Sequence, residues 1–444
     1  MASPDERKQE ERTPEEQIPV EREIDPSAGQ RLLWFLDRYR GHDGALNCPM
    51  MCRIRGPLDA GVLRQCLETV ISRHESLRTV FRGGGRDLRG LVRASAPVQL
   101  RPRRLDGEPE RALREAVAEE LAARIDPARS AFRITLWQVA DDDHVLCLNM
   151  HHLVTDSWSC GVVFQDLCAL LDQARGSHTE RPPQGLPFSA FAAWQRAALD
   201  GGELRAQQEY WQERLAGLTL APLPVRDVPG PRRTALVRRE LDRAAVAGLR
   251  DAARTGRSTL FSLLLTLYYA VLHQATGHTD LAVASLYANR TRPELRRTVG
   301  FLANMVVLRT RFDPAAGALD ALRATHSTVT GAFLNQGVPY QLLPLREAQS
   351  QGARADDIVF QMLAEPVYST TAGGLALEVL VPDGVGSRFE LELVLVPHQA
   401  GFHVLLFYNE GRLDETFATE LVERYVAAAA RVSRNTDLTF GRIC

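Results

Sequence analysis

Residues 149–161 read NMHHLVTDSWSCG and place two adjacent histidines, His151 and His152, shortly before Asp156. The residues before them, DDDHVLCLNM (141–150), form an apolar run after an acidic turn and predict a strand. The residues after them, SWSCGVVFQDLCALLDQARG (157–176), carry apolar side chains at helical spacing and predict a helix that Gly176 ends. The stretch therefore predicts a strand, a polar turn and a helix.

Histidine, aspartate and serine side chains take part in three kinds of chemistry, and the turn suits one of them best. Side chains alternate along a strand, so His151 and His152 point to opposite faces and cannot bind one metal ion together, and we expect no metal site. A serine hydrolase using Ser157 or Ser159 lacks the strained G-x-S-x-G turn. A histidine general base fits better, because an imidazole accepts a proton at neutral pH. The alternative is a strand end whose polar residues have no chemical role.

The general-base interpretation gives each residue of the turn a role. We expect His152 to face a cleft and His151 to turn into the surrounding lobe. Asp156 either orients the site or forms a structural ion pair with an arginine. The helix starting near Trp158 directs its first N–H groups towards the same place, where they could stabilise an oxyanion.

Composition limits the classes of protein. The chain has 444 residues, 45% hydrophobic and 24% charged, and a formal net charge of −2, so a strongly basic nucleic-acid binder is excluded. The longest apolar run, LFSLLLTLYYAVL (260–272), is too short to cross a bilayer and predicts a buried helix. Seven cysteines without a CxxC pair, and an N-terminus without an apolar segment, predict reduced thiols in a cytoplasmic protein.

The chain also contains a weak internal repeat. The segment 238–256 is similar to 55–74, and HVLLFYNEGRLDETF (403–417) is similar to HVLCLNMHHLVTDSW (144–158). Only the first copy has the paired histidines. We therefore expect a disordered tail over residues 1–22, an N-terminal α/β lobe over 23–187 that ends in the linker ERPPQGLP (180–187), and a C-terminal lobe over 188–444. A single site in the first lobe would face the second.

Seven motifs in order resemble those of nonribosomal peptide synthetase condensation domains. MHHLVTDSWS (150–159) resembles the core motif HHxxxDG of that family. The resemblance spans residues 24 to about 440, and the other motifs are PSAGQRLLWFLDRY (26–39), RHESLRTVF (73–81), FSAFAAWQ (188–195), VGFLANMVVLR (299–309), NQGVPYQLL (335–343) and RADDIVFQML (354–363).

The resemblance implies an α/β fold of two chloramphenicol-acetyltransferase-like lobes arranged in a V with a central tunnel. It also implies a reaction. A donor acyl group arrives as a thioester on the phosphopantetheine arm of a carrier protein. An amine or hydroxyl attacks its carbonyl carbon; this acceptor is a small molecule or is held by a second carrier protein. No cofactor is bound by the enzyme itself, and neither nucleic acid nor a membrane is involved.

Residue by residue, the resemblance makes His152 the base or the group that positions the nucleophile. It makes Asp156 a structural carboxylate paired with Arg290 of YANRTRPEL (287–295). Ser157 replaces the usual glycine of the core motif, and Met305 replaces the usual threonine after Asn304 in the fifth motif. The resemblance leads us to expect these residues to line the substrate tunnel: Asn304, Met305 and Tyr340.

Two relatives within the family fit less well. Epimerisation domains have a fifth motif of the G-W-F-T type, and cyclisation domains have aspartates in place of the two histidines. The sequence contains no carrier-protein serine motif and no adenylation motifs, so we expect a free-standing enzyme of natural-product biosynthesis acting on a carrier protein in trans. The alternatives are an acyl-CoA-dependent acyltransferase of the same fold and a catalytically silent recruitment module.

Overall fold

The computed structural model describes residues 18–39, 44–226, 233–346, 348, 353–363, 369–380, 387–398 and 401–444. The helices are α1 (Ala28–Tyr39), α2 (Ala60–Arg73), α3 (Pro109–Ala122), α4 (Ser157–Ala174), α5 (Phe188–Asp200), α6 (Arg205–Leu215), α7 (Arg243–Thr255), α8 (Leu260–Thr276), α9 (Ala318–Leu334) and α10 (Glu415–Val432). The strands are β1 (Val20–Ile24), β2 (Asn47–Arg55), β3 (Thr79–Arg82), β4 (Arg89–Arg93), β5 (Pro102–Arg104), β6 (Phe132–Ala140), β7 (Asp143–His151), β8 (Thr234–Asp242), β9 (Asp280–Tyr287), β10 (Asn304–Arg311), β11 (Ile358–Met362), β12 (Ser369–Ala372), β13 (Leu375–Leu380), β14 (Leu391–His398) and β15 (Gly401–Asn409).

The described residues form two compact units, each with a six-stranded mixed sheet. The first unit comprises the described parts of Met1–Gly201, Arg290–Ala303 and Val367–Gly386. Its main sheet has the order β12-β13-β2-β7-β6-β5, and β1, β4 and β3 form a small second sheet. The second unit holds the remaining described residues around a sheet of order β10-β9-β11-β14-β15-β8. The predicted α/β class is confirmed, and each unit has its own sheet.

Two segments from the second half of the sequence join the first unit. Residues 290–303 pack there, and β13 pairs with β2 to extend the main sheet. Helix α5 also belongs to this unit, whereas the C-terminal lobe expected from the sequence starts at residue 188, the first residue of that helix. Most of the tail predicted over residues 1–22 lies outside the described residues, but strand β1 begins at Val20 and pairs with β4. Only Ile24 of that strand is buried, so its hydrophobic pattern could not reveal it.

Strand β7 lies in the middle of the first sheet and has apolar side chains on both faces. Leu146 and Leu148 belong to the large core that also contains side chains of α2 and α4. Val145 and Cys147 belong to a smaller cluster on the opposite face, to which α3 contributes. A strand covered on both sides reads as a continuous apolar run, and the sequence 144–150 has that form. The sheet therefore holds the end of β7 in a rigid setting.

The two helices that flank this core begin at aspartate caps, and α4 starts and ends within two residues of the predicted bounds. Asp59 caps α2 by accepting hydrogen bonds from the first N–H groups of that helix. Helix α4 begins at Ser157 with Asp156 as its cap, and Gly176 adopts a φ of +83° just past its end. Helix α8 is the predicted buried helix, with every side chain from Ser262 to Leu272 buried. None of the helices described is both long enough and apolar enough to cross a bilayer.

Candidate active site

The histidine turn is anchored by backbone hydrogen bonds on both sides of β7. The N–H of His151 donates to the carbonyl of Ala131 at 2.8 Å, just before β6 begins. The N–H of His152 donates to the carbonyl of Leu46 at 2.8 Å, just before β2 begins. The two neighbouring strands therefore fix the backbone from which both imidazoles project.

His151 points into the first unit and is 1% exposed. Its Nδ1 accepts a hydrogen bond from the N–H of Leu153 at 3.0 Å, and its Nε2 lies 3.5 Å from Oδ1 of Asp37. Burial raises the pKa of Asp37, but His151 and Arg124 outweigh it and leave that pKa below its ordinary value. These contacts give His151 a packing role within the unit.

His152 is half-buried, and its ring contacts Thr155 and Phe301. Its Nδ1 lies 3.2 Å from the carbonyl oxygen of Thr155. A carbonyl only accepts, so Nδ1 carries the proton, and in the neutral ring Nε2 has the lone pair. The ring also stands edge-on to Phe301, with ring centroids 5.9 Å apart and an angle of 69° between the planes. The turn thus fixes both the tautomer and the orientation of this imidazole.

Asp156 is buried and accepts hydrogen bonds from two side chains and three backbone N–H groups. Arg290 donates from Nη1 to Oδ2 and from Nη2 to Oδ1, both at 2.9 Å. Ser159 donates to Oδ1 from its N–H at 2.8 Å and from its hydroxyl at 2.7 Å. The N–H groups of Leu302 and Ala303 each donate to Oδ2 at 3.1 Å. One carboxylate therefore joins the start of α4 to both ends of the segment 290–303.

The electrostatics of Asp156 follow from these partners. Burial raises its pKa, but the charge and hydrogen bonds of Arg290 and the hydrogen bonds of Ser159 outweigh burial, and the pKa lies below its ordinary value. The group is therefore ionised at neutral pH. Its oxygens are occupied by Arg290, Ser159 and two backbone N–H groups, which is the arrangement of a structural carboxylate.

The segment 290–303 has further attachments along α4. The indole N–H of Trp158 donates to the carbonyl of Arg296 at 2.8 Å, and the Arg290 guanidinium lies 5.7 Å from the centre of the Trp158 ring. Further along the same helix, Asp166 forms an ion pair with Arg297. The histidine turn is thus supported by residues distant in sequence.

Ser159 and Gly300 also support the site, and the sequence alone assigned this role to neither. Ser159 is 0% exposed, and its hydroxyl lies 2.7 to 3.1 Å from partners on Asp156, Arg290 and Gly300, so it is not placed to act as a nucleophile. Gly300 has a φ of +156°, and a Cβ there would lie 2.0 Å from the ring of Phe188. The Asp156-x-x-Ser159 spacing of a helix cap was the available signal for Ser159; Gly300 gave none.

The two residues that begin α4 are exposed. Ser157, the residue that replaces glycine in the motif, is the first residue of the helix, and 44% of the Trp158 surface is accessible. Helical backbone at residue 157 suits serine as well as glycine. The serine side chain therefore changes the surface beside the histidine turn without straining the chain.

The predicted tunnel residues Asn304, Met305 and Tyr340 lie in the second unit. The Asn304 amide donates to the carbonyls of Gln336 and Val338 at 2.9 and 2.6 Å, and its oxygen accepts from the N–H of Tyr340 at 3.0 Å. Met305 is 3% exposed and belongs to an apolar cluster against which Tyr340 packs. Within this unit Asn304 fixes the loop that presents Tyr340.

The arrangement around His152 suits proton transfer. An imidazole whose Nδ1–H is engaged by a carbonyl presents Nε2 as the acceptor, and the same carbonyl stabilises the imidazolium that forms. Among the described residues, the grouping of side chains that could hold a metal ion is Glu240, His398 and His403 in the second unit, not the histidine turn.

Comparison with known proteins identifies relatives over nearly the whole chain. The condensation domain family model matches residues 20–443. Phosphinothricin tripeptide synthetase PhsC of Streptomyces viridochromogenes is 32% identical over 430 residues, which are 92% of this chain and 39% of that protein. Chondramide synthase cmdD of Chondromyces crocatus is 33% identical over 410 residues, 86% of this chain and 10% of that protein. The chain thus spans well under half the length of these relatives.

Solved structures show the same fold. The X-domain from teicoplanin biosynthesis matches with a TM-score of 0.83 and 23% identity, covering 96% of this chain and 99% of that one. SgcC5 from Streptomyces globisporus matches with a TM-score of 0.80 and 23% identity, covering 94% of this chain and 100% of that one. The condensation domain of the Monacolin K polyketide synthase MokA matches with a TM-score of 0.82 and 20% identity, covering 95% and 99%. The fold is therefore the predicted chloramphenicol-acetyltransferase-like one, and with the family match over residues 20–443 the chain belongs to the condensation domain family.

Proposed function

We propose that this chain is an acyltransferase that joins a carrier-bound acyl or aminoacyl group to an amine or hydroxyl acceptor in natural-product biosynthesis. The family to which it belongs forms amide bonds in this way. One observation supports the proposal for this chain in particular: the Nδ1–H of His152 donates to the carbonyl of Thr155, which places the lone pair of the neutral ring on Nε2, the atom that would take the proton. The donor is the thioester on the phosphopantetheine arm of a peptidyl or acyl carrier protein, supplied in trans.

The proposed reaction balances with His152 as the only proton carrier. The acceptor nitrogen or oxygen attacks the thioester carbon while Nε2 takes the proton that the acceptor loses. The tetrahedral intermediate then expels the phosphopantetheine sulfur, and the imidazolium returns the proton to it as a thiol. General-base catalysis of this type contributes roughly 10²- to 10⁴-fold. Asp156 and Arg290 hold the turn in place and take no proton.

His152 could instead position the nucleophile by a hydrogen bond and leave the proton to solvent. The two roles predict different pH profiles of the rate, because only the second profile depends on the pKa of the acceptor. If Nε2 is the base, the rate follows the ionisation of one imidazole and falls as His152 becomes protonated at low pH. If His152 only positions the acceptor, the pH profile follows the acceptor amine and shifts when amines of different pKa are compared.

The test uses a separate, acyl-loaded carrier protein and candidate amines and alcohols, followed by intact-protein mass spectrometry. We expect loss of the acyl group that depends on one acceptor, because an enzyme that works in trans accepts a carrier added as its own chain. His152→Ala should lower this rate by ~10²-fold or more. His178→Ala, at an exposed histidine, is the matched control and should leave it unchanged.

The outcomes distinguish the alternatives. Turnover with the acyl-CoA thioester and none with the carrier would identify an acyl-CoA-dependent transferase of the same fold. Product formation equally fast in His152→Ala would contradict the proposed role of the imidazole, and no acyl loss with any donor would indicate a recruitment module. Ser157→Gly, which restores the usual residue of the motif, should change the preferred acceptor with little effect on stability.

A further inference from the structure

Three neighbouring strands of the second unit bring chemically related side chains to one face of its sheet. His403 of β15 lies directly opposite Glu240 of β8, the strand at the edge. His403 also lies opposite Val396 of β14, and His398, two residues further along, shares that face. Diagonal neighbours on adjacent strands are within reach of long side chains. The register alone therefore predicts that Glu240, His398 and His403 meet.

The side chains do converge. The rings of His398 and His403 stack with centroids 4.1 Å apart and an angle of 20° between their planes. Nδ1 of His403 lies 3.1 Å from a carboxylate oxygen of Glu240. One nitrogen of each histidine and one oxygen of Glu240 all lie within 4.8 Å of one another. The group is reached from solvent, because the side chains of His403 and Glu240 are 32% and 62% exposed.

The donor atoms of this cluster are of the kinds that a divalent metal ion binds. Metal ions in proteins are commonly held by imidazole nitrogens and carboxylate oxygens. His398 and His403 supply two imidazoles, and Glu240 supplies one carboxylate.

We infer that Glu240, His398 and His403 form a binding site for a divalent transition-metal ion, with Zn²⁺ as the best match. Two imidazoles and one carboxylate are a donor set that Zn²⁺ binds, with a fourth position left for water or an added ligand. Zn–N and Zn–O bonds of ~2.0–2.2 Å place the ligand atoms roughly 3.3 Å apart. The distance of 3.1 Å between Nδ1 of His403 and the Glu240 oxygen is close to this value, and all the ligand atoms lie within 4.8 Å of one another.

Occupation of the site would cross-link the edge of the sheet. The ion would join β8 to β14 across β15. Strand β8 lies at the edge of the sheet and is held by backbone hydrogen bonds to β15 alone, so the ion would give it a second attachment. The site uses none of the residues assigned to acyl transfer. Its existence and the proposed reaction of His152 can therefore be tested separately.

Titration of chelator-treated protein with Co²⁺ and Zn²⁺ tests the inference. We expect one Co²⁺ ion per chain with the visible absorption bands of a four- or five-coordinate site and without a thiolate-to-cobalt band, and Zn²⁺ should displace it. His398→Ala and His403→Ala should each weaken binding by ~10-fold or more, and Glu240→Gln, a nearly isosteric change, by a smaller factor. Zn²⁺ should raise the melting temperature of the original protein and not that of the histidine variants.

Two substitutions serve as controls, because each removes a histidine that lies outside the proposed metal site. His178→Ala should leave metal binding unchanged, and so should His152→Ala, whatever its effect on acyl transfer. Circular dichroism of each variant confirms that the fold is retained, and Glu240→Gln tests the site at its most exposed ligand. Unchanged affinity in the His398 and His403 variants, or a thiolate-to-cobalt band showing that cysteines bind the ion, would overturn the assignment.

Discussion

The guanidinium of Arg290 makes two hydrogen bonds of 2.9 Å to the carboxylate of Asp156, 134 residues earlier in the chain. The same carboxylate accepts the N–H groups of Leu302 and Ala303, so it fixes the whole segment between them. The helix that begins beside His152 therefore depends on a distant stretch of sequence for its position. The geometry of the histidine turn is a property of the complete first unit.

Replacement of Asp156 by alanine should strongly destabilise the protein. It leaves the buried Arg290 charge without its partner, a change that costs on the order of 3–5 kcal/mol, and it removes the cap of α4. The free energy of unfolding in urea measures the loss. Glu115→Ala is the matched control, because it breaks only the exposed pair with Arg111 and should change the free energy of unfolding far less. Equal effects of the two exchanges would contradict the structural role of Asp156.

The contribution of Asp156 should depend on pH with a defined sign. Its pKa is lower in the folded protein than in the unfolded chain, where it is about 3.9. The stabilisation is complete above the unfolded pKa and is lost as pH falls through the folded pKa. The difference in unfolding free energy between the original protein and Asp156→Asn should be constant from neutral pH down to about pH 5 and should shrink below about pH 4. A difference that is unchanged at low pH would show that the charge of Asp156 is not responsible.

Phe301 should position His152. The ring of Phe301 stands edge-on to the imidazole, and a Cβ at Gly29 would approach that ring to 3.0 Å, so the phenyl ring has little room to move. Phe301→Leu should keep the fold and lower kcat of the proposed acyl transfer about tenfold, because small displacements of a group that takes part in a reaction are costly. Nitrogen NMR of His152 supplies a readout independent of turnover: the Nδ1–H tautomer should dominate in the original protein and mix with the other tautomer in the variant. A variant with the original kcat and the original tautomer would exclude this role.

Asp357, in the second unit, should show the opposite pH dependence to Asp156. Its pKa is raised to about 6, chiefly by burial. The charges of Glu390 and Asp356 also raise this pKa, while a hydrogen bond from the N–H of Arg354 lowers it. The folded state therefore keeps a proton that the unfolded chain releases, and stability falls as pH rises from about 4 to about 6. Asp357→Asn removes this loss.

Urea unfolding across this range measures the effect of Asp357→Asn. The variant should become more stable than the original protein by about 1 kcal/mol above pH 6, a value reduced from the full linkage because the carboxyl is partly solvated. Below about pH 4 the two proteins should unfold alike, since both then carry a neutral side chain at this position. The absence of any gap above pH 6 would contradict the raised pKa.

Local patterns in the sequence predict the parts of the site that depend on local physics. The apolar run before His151 and the helical spacing after Ser157 predict the strand, turn and helix with bounds that are correct to within about two residues. These features follow from side-chain periodicity and from the unsatisfied N–H groups at a helix start. The pairing of Arg290 with Asp156 came from family resemblance, since no local pattern joins residues so far apart.

The features that a single sequence does not predict are those set by long-range packing. The spacing of Asp156 and Ser159 is compatible with a helix cap, but it does not show that the Ser159 hydroxyl lies at the centre of the hydrogen bonds between Asp156, Arg290 and Gly300. Residues 375–380 form strand β13, and nothing in their sequence reveals which of the two large sheets this strand joins. Membership of a sheet is decided by which edge leaves the most apolar surface uncovered, and this depends on the whole chain.

Strand β13 pairs with β2, and β12 follows it at the outer edge of the same sheet. During synthesis, this sheet cannot be finished until residue 380 has left the ribosome, long after the histidine turn has been made. A shortened polypeptide ending near Gly201 would lack Arg290 as well, and it would offer the bare edge of β2 to other molecules, which promotes aggregation. A chimeric protein that includes this chain should therefore carry both units together and have its joins outside residues 20–443.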